Sequence, residues 1–322
     1  MRYIMKIQPA FKDYLWGGTR LKTEWGKKTD LAKVAESWEL SCHPDGLSTV
    51  ENGPAAGQTL AAFLAQAGPE ALGTNCAAFD RFPVLIKLID AKQNLSVQVH
   101  PNNDYAMRVE GEPGKTEMWY VVDCEPGAQL IYGFDHEISK EEFAQRIQNQ
   151  TLLEVVHAVP VHKGDVFFIA SGTLHGIGAG ILIAEIQQNS NTTYRVYDYG
   201  RVGADGKPRT LHIDKALDVT HRGPARYPVT QGSPVARDGY ADRLLASCSY
   251  FTVHALDIHG EAHFAADRDS FHSLLCTECA GTLTVSCAEN SVTVRRGDSV
   301  FLPAGLGDYT VTGVGRVLRT TV

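Results

Sequence analysis

Gln98 and His100 stand two residues apart in the run Leu95-Ser96-Val97-Gln98-Val99-His100-Pro101, where polar and β-branched residues alternate. That alternation has the period of a β-strand, so Ser96, Gln98 and His100 share one face and Val97 and Val99 the other. An imidazole and an amide projecting together into a core are costly unless something pairs with them. A metal ion is one such partner, and a backbone carbonyl that satisfies the histidine is the other. A second pair, Lys115 and Glu117, falls on one face of the strand-like run that continues as Met118-Trp119-Tyr120-Val121-Val122.

The elements that must position these side chains are mostly strands. Glu36-Ser37-Trp38-Glu39-Leu40-Ser41 alternates, and the stretch from Ile4 to Gly53 reads as strands added to a sheet. Pro83 to Ala91 (PVLIKLIDA) is a nearly continuous apolar run of strand length that leads by a short turn into the Gln98/His100 strand. Val161 to Ile169 and Ile181 to Gln188 are two more strands. Between them the turn Ala170-Ser171-Gly172-Thr173-Leu174 delivers His175. Two helices interrupt the pattern. Thr59 caps a short one that stops at Gly68, and Ser139 starts an excursion from Ile138 to Val156 with Glu141 and Glu142 in its first turn. Asn189 to Arg201 is polar and aromatic, Ala204 to Arg209 is turn-rich, and Gly and Pro cluster between Gly223 and Gly239. The last of these places a domain boundary near residues 230 and 231.

Composition narrows the partners. At 322 residues and 43% hydrophobic, the chain has ample core for one large or two medium domains. A net charge of -7 and a pI near 5.9 argue against nucleic acid or an anionic membrane as partner, and a small molecule fits better. No run approaches a membrane span, and the first residues lack the pattern of a signal peptide, which points to the cytoplasm. The seven scattered cysteines read as reduced thiols; Cys276-Thr277-Glu278-Cys279 is a lone C-x-x-C without the two further ligands a structural zinc needs.

The chain also echoes itself. Gly164-Asp165-Val166-Phe167-Phe168-Ile169 through His175 aligns without gaps to Gly297-Asp298-Ser299-Val300-Phe301-Leu302 through Asp308. A Gly-Asp turn, an apolar strand, a Gly turn and a strand start is a jelly-roll layout. In the second copy Asp308 stands where His175 stands in the first.

Four motifs in this order are specific together: Leu95 to Asn102 (LSVQVHPN), Gly114 to Tyr120 (GKTEMWY), Gly172 to His175 (GTLH) and Asn191 to Asp198 (NTTYRVYD). With them the chain resembles the type I mannose-6-phosphate isomerases, in their short bacterial form, and the likeness spans nearly its whole length. The resemblance implies a mainly β fold of two cupin-like jelly-roll barrels with a short helical excursion. Residues 1–230 would form the catalytic barrel and 231–322 a degenerate one. It further implies one zinc ion per chain held by Gln98, His100, Glu117 and His175, a ligand set whose chemistry suits zinc. Arg195 matches the family's active-site arginine; its permanent charge suits an enediolate oxygen or a phosphate rather than proton transfer. Lys115, beside the cation, is the candidate base, with an anion clamp or a solvated lysine as the alternative. Ser96 is a candidate contact to substrate.

The implied reaction interconverts mannose 6-phosphate and fructose 6-phosphate through an enediol. The zinc ion would either polarise the sugar oxygens or order substrate and water. Two other readings stand beside it: an iron-dependent oxygenase, since His/His/carboxylate sites also hold non-haem iron, and a non-catalytic sugar-binding cupin. Arg201 and Lys87 are candidates to help hold the phosphate, although nothing in their spacing sets them apart from solvated charges, and His43, His157, His162, His212 and the C-terminal histidines read as surface or ordinary packing residues.

Overall fold

A computed structural model of the chain describes residues 2–203, 206–225 and 232–322. The boundary expected at residues 230 and 231 lies outside those residues, as do Ala204 and Asp205 of the expected turn.

In the first half two antiparallel sheets pack face to face. The six-stranded sheet runs Val166–Ile169, Glu117–Cys124, Ile181–Gln188, Val84–Ala91, Glu36–Leu40, Ala10–Lys12. Val84–Ala91 and Ile181–Gln188 are buried along their whole length, which is why they read as apolar runs rather than alternating ones. The five-stranded sheet runs Tyr194–Tyr197, Val97–Val99, His175–Ile177, Gln129–Phe134, Val156–Pro160. Ile89, Trp119, Val121 and Ile183 of the first sheet meet Leu130 and Ile177 of the second in one cluster. This two-layer, all-antiparallel arrangement is the cupin jelly roll.

Thr59 caps Leu60–Ala67 by accepting from the Ala62 amide, and Gly68 follows as its stop. Ser139 likewise caps Lys140–Gln148, after which the chain returns to strand at Val156–Pro160. Ile213–Val219, a helix the sequence reading did not identify, packs with this excursion beneath Val97, Val99 and Tyr194. At seven residues it is two turns long, too short for its apolar spacing to stand out.

The second half repeats the first. Its sheet contains the order Ser299–Leu302, His272–Cys279, Gly307–Thr321, Thr252–Ala266, which matches Val166–Ile169, Glu117–Cys124, Ile181–Gln188, Val84–Ala91 strand for strand. The echoed turns share a left-handed glycine, with φ of +92° at both Gly164 and Gly297. The halves are not joined by a linker alone. Met5–Gln8 crosses over to pair with Ser299–Leu302, and Phe82 lies 5.4 Å from Phe271 and 6.5 Å from Phe301, ring centre to ring centre. No helix among the described residues is long and apolar enough to cross a membrane.

Candidate metal centre and substrate cavity

The two sheets of the first half bring His100, Glu117 and His175 together. His100 follows the short Val97–Val99 strand, His175 opens the strand beside it, and Glu117 opens a strand of the opposite sheet. Their ligand atoms lie within 4.8 Å of one another and all three side chains are buried. Among the described residues, this is the group of histidine, cysteine and carboxylate side chains placed to share an ion. The Cys276/Cys279 pair has no such company, and all seven cysteines are free thiols.

Each imidazole is oriented through its Nδ1. His100 donates to the Thr192 carbonyl at 2.9 Å and His175 to the Thr173 carbonyl at 2.8 Å. Both partners for which His100 called are therefore reconciled: a carbonyl takes Nδ1, and Nε2 keeps its lone pair for the centre. Burial, with Lys115 adding to it, drives the His100 pKa well down; burial alone is the main reason His175 falls to about 4. Both rings are thus neutral at neutral pH, the form that ligates metals.

Glu117 is pushed up by burial and by the nearby Glu185. Burial would also raise Glu185, but Lys115 and Lys87 overcome it and hold that carboxyl down. Neither Glu117 oxygen has a hydrogen bond of normal geometry, although Lys115 Nζ stands 2.9 Å from Oε2. Lys115 Nζ is also 3.2 Å from His100 Nε2 and 3.7 Å from Glu185 Oε1. Two of the three ligand atoms thus already attract a cation. The wider network is short of positive charge: Glu36, Glu117 and Glu185 are buried against only Lys87 and Lys115. A divalent cation at the three-residue centre offsets that surplus, so the residues present fit a metal.

Gln98 reaches the centre with its amide nitrogen, 3.5 Å from His175 Nε2, while its oxygen accepts from Ser96 Oγ at 3.2 Å. A half-turn of the amide exchanges the two atoms and presents the oxygen. Ser96 in turn accepts from Arg195 Nε at 3.2 Å, so Arg195, Ser96 and Gln98 form one chain of contacts. Arg195 also donates to the Thr210 carbonyl. These residues open onto a cavity of about 240 Å³ lined by Ser96, Gln98, Lys115, Glu185, Arg195 and Arg209, with Tyr14 and Trp16 on its wall. A larger cavity of about 820 Å³, bounded by Lys6, Trp25, Lys163 and Arg295, contains no part of this cluster.

Lys87 and Arg201 are both held by carboxylates rather than solvated. Lys87 is 3% exposed and pairs with Glu185 at 3.2 Å and Glu36 at 3.7 Å, because its strand is buried on both faces. Arg201 folds back onto Asp198 and the Asn94 carbonyl. His43 is buried against Glu112, and His212 Nδ1 accepts from the Arg195 amide. Glu185 was missed outright. Its one trace in the sequence is a carboxylate inside an otherwise apolar strand, where it takes the Trp119 indole at 2.9 Å.

Two repeated jelly rolls, one with a buried His–Glu–His centre beneath a polar cavity, define a double cupin equipped for a metal. Comparison with known proteins then gives its family. Residues 4–119 match the catalytic domain of type I phosphomannose isomerase, and residues 242–322 match the mannose-6-phosphate isomerase cupin domain. The mannose-6-phosphate isomerase ManA of Bacillus subtilis is 38% identical over 95% of both chains. The mannose-6-phosphate isomerase of Streptococcus mutans is 37% identical over 95% of this chain and 94% of its own. The crystal structure of a Bacillus subtilis mannose 6-phosphate isomerase superposes with a TM-score of 0.92 at 35% identity, covering 99% of each chain. The chain belongs to the type I phosphomannose isomerase family, and is a sugar isomerase.

Proposed function

We propose that this chain interconverts mannose 6-phosphate and fructose 6-phosphate, with one zinc ion held by His100, Glu117 and His175 and with Gln98 as fourth ligand. The observation that carries the reading is the buried trio, with two neutral imidazoles and a carboxylate that lacks normal hydrogen bonds. Three protein ligands and one weak or exchangeable position is the pattern of a catalytic zinc. When bound, the ion supplies Lewis-acid polarisation of the sugar's carbonyl and hydroxyl oxygens.

The chain's own residues supply the rest. In the aldose-to-ketose direction a proton leaves C2 of the open-chain sugar, and the electrons of that C–H bond form the C1–C2 double bond of an enediol. The carbonyl oxygen on C1 gains a proton as its π pair is displaced onto it. Return of a proton to C1, with loss of the proton on the C2 oxygen, gives the ketose. Beside a bound cation Lys115 would stand as the neutral amine, and its Nζ, at the junction of centre and cavity, would then take the proton from C2 and return it to C1. Arg195 faces the same cavity with a fixed positive charge and stabilises the anionic oxygens of intermediate or phosphate. Ser96 holds the Arg195 fork in place and contacts substrate from the same wall.

A coupled assay with mannose 6-phosphate, run beside glucose 6-phosphate, tests this reading. Turnover of the mannose ester is expected, and its absence in metal-replete protein would overturn the assignment.

A further inference from the structure

The two imidazoles of the centre are oriented by carbonyls of different origin. Thr173, which orients His175, lies two residues away in the same turn. Thr192, which orients His100, is 92 residues distant in the chain and reaches it only because the segment around 190–194 is held across the site. Something must hold that segment. We propose that Glu112 is a positioning residue for the metal centre, acting on His100 through Thr192; this rests on the metal reading above.

Glu112 and Glu110 lie on the loop between the helix Asn103–Val109 and the strand that Glu117 opens. Glu112 Oε2 accepts from Thr192 Oγ1 at 3.1 Å and from Ser190 Oγ at 3.5 Å. Two residues earlier, Glu110 Oε1 accepts from the Tyr194 hydroxyl at 2.8 Å. One loop thus grips alternate residues of the segment that carries both the Thr192 carbonyl and Arg195. Glu112 is itself fixed on its far side. His43 Nδ1 accepts from the Asp45 amide at 3.1 Å, which leaves its proton on Nε2, 3.3 Å from Glu112 Oε1. The path runs His43 to Glu112 to Thr192 to His100 Nδ1, and each link is a hydrogen bond between side chains or to the one carbonyl that sets the ring. An outer partner of this kind fixes the tautomer and direction of a ligating imidazole.

The test is zinc release from the full-length, zinc-loaded chain to a competing chelator. Glu112→Ala is expected to release the ion about 10-fold or more faster than wild type. Thr192→Val, which keeps the carbonyl but loses the hydroxyl, should do the same, and Thr192→Ser should restore the wild-type rate. The Glu112→Ala/Thr192→Val pair should be no faster than the faster single variant, because both remove one interaction. Wild-type release from Glu112→Ala, or effects that multiply in the double variant, would overturn the proposal. Should Glu112→Ala fail to fold, the contrast between Val and Ser at Thr192 decides, with equal rates counting against it. Failure of the wild-type chain to retain zinc at all would instead remove the metal reading.

Discussion

Glu117 and His272 hold the same place in the two halves. Each is the first residue of its strand and lies opposite the last residue of the neighbouring one, Ile169 for Glu117 and Leu302 for His272. Following the register inward, Glu185 opposite Trp119 corresponds to Arg319 opposite Leu274. Both carboxylates of the first centre are thus replaced by basic side chains in the second. Asp308, aligned with His175, turns to solvent, and Tyr309 occupies the interior instead, hydrogen-bonded to His272 at 2.8 Å and stacked on Phe264. That interior therefore lacks the carboxylates of the first centre, and among the described residues it gathers no group of side chains placed to share an ion. Elemental analysis is therefore expected to find one zinc per wild-type chain and none in His175→Ala; a second equivalent, or metal retained by the variant, would contradict the assignment.

Arg195 touches Ser96 and Thr210 but none of the three ligands. Arg195→Ala should keep its zinc while kcat falls by about 100-fold or more, as expected for loss of a charge that stabilises developing negative charge. Loss of metal together with turnover would mean that Arg195 supports the centre rather than the reaction.

Glu185 sits between two buried ammonium groups, 3.2 Å from Lys87 and 3.7 Å from Lys115. Glu185→Gln leaves those charges short of a partner, and breaking a buried network in this way costs about 3–5 kcal/mol. Urea denaturation of the variant is the check. A midpoint equal to that of wild type would show that the network adds nothing to the fold.

His272 gives a pH dependence remote from the metal. Burial, reinforced by Arg319, lowers its pKa to about 4, so the folded protein takes up this proton less readily than the unfolded chain. Its contribution is complete above the ordinary histidine pKa of about 6.5 and is lost as pH falls through about 4, up to about 3 kcal/mol in all. Between those limits His272→Gln should lose less stability than wild type. Parallel stability–pH curves would place His272 among residues with no such effect.

Much of the first half was legible because the strands that carry His100, Glu117 and His175 advertise themselves. The first shows clean alternation, the second is an apolar run that follows Gly114, and the third is a three-residue strand marked only by the Gly172 turn that delivers His175. The repeat was legible too, since turn glycines with positive φ admit few substitutes. What stayed hidden depends on two elements meeting. Lys87 resembles any lysine until Glu36 and Glu185 arrive from the flanking strands. His43 and Glu112 gain their meaning only from the loops that bring them to Thr192. Even the gapless match of Asp308 to His175 concealed a change of facing, because a one-residue slip sends a strand's side chains to the opposite side.

The most direct test is turnover of mannose 6-phosphate by chelator-stripped protein titrated with zinc. The account predicts that stripping abolishes activity and that it returns linearly to a plateau at one equivalent per chain. Full activity in protein shown to be free of metal would contradict it.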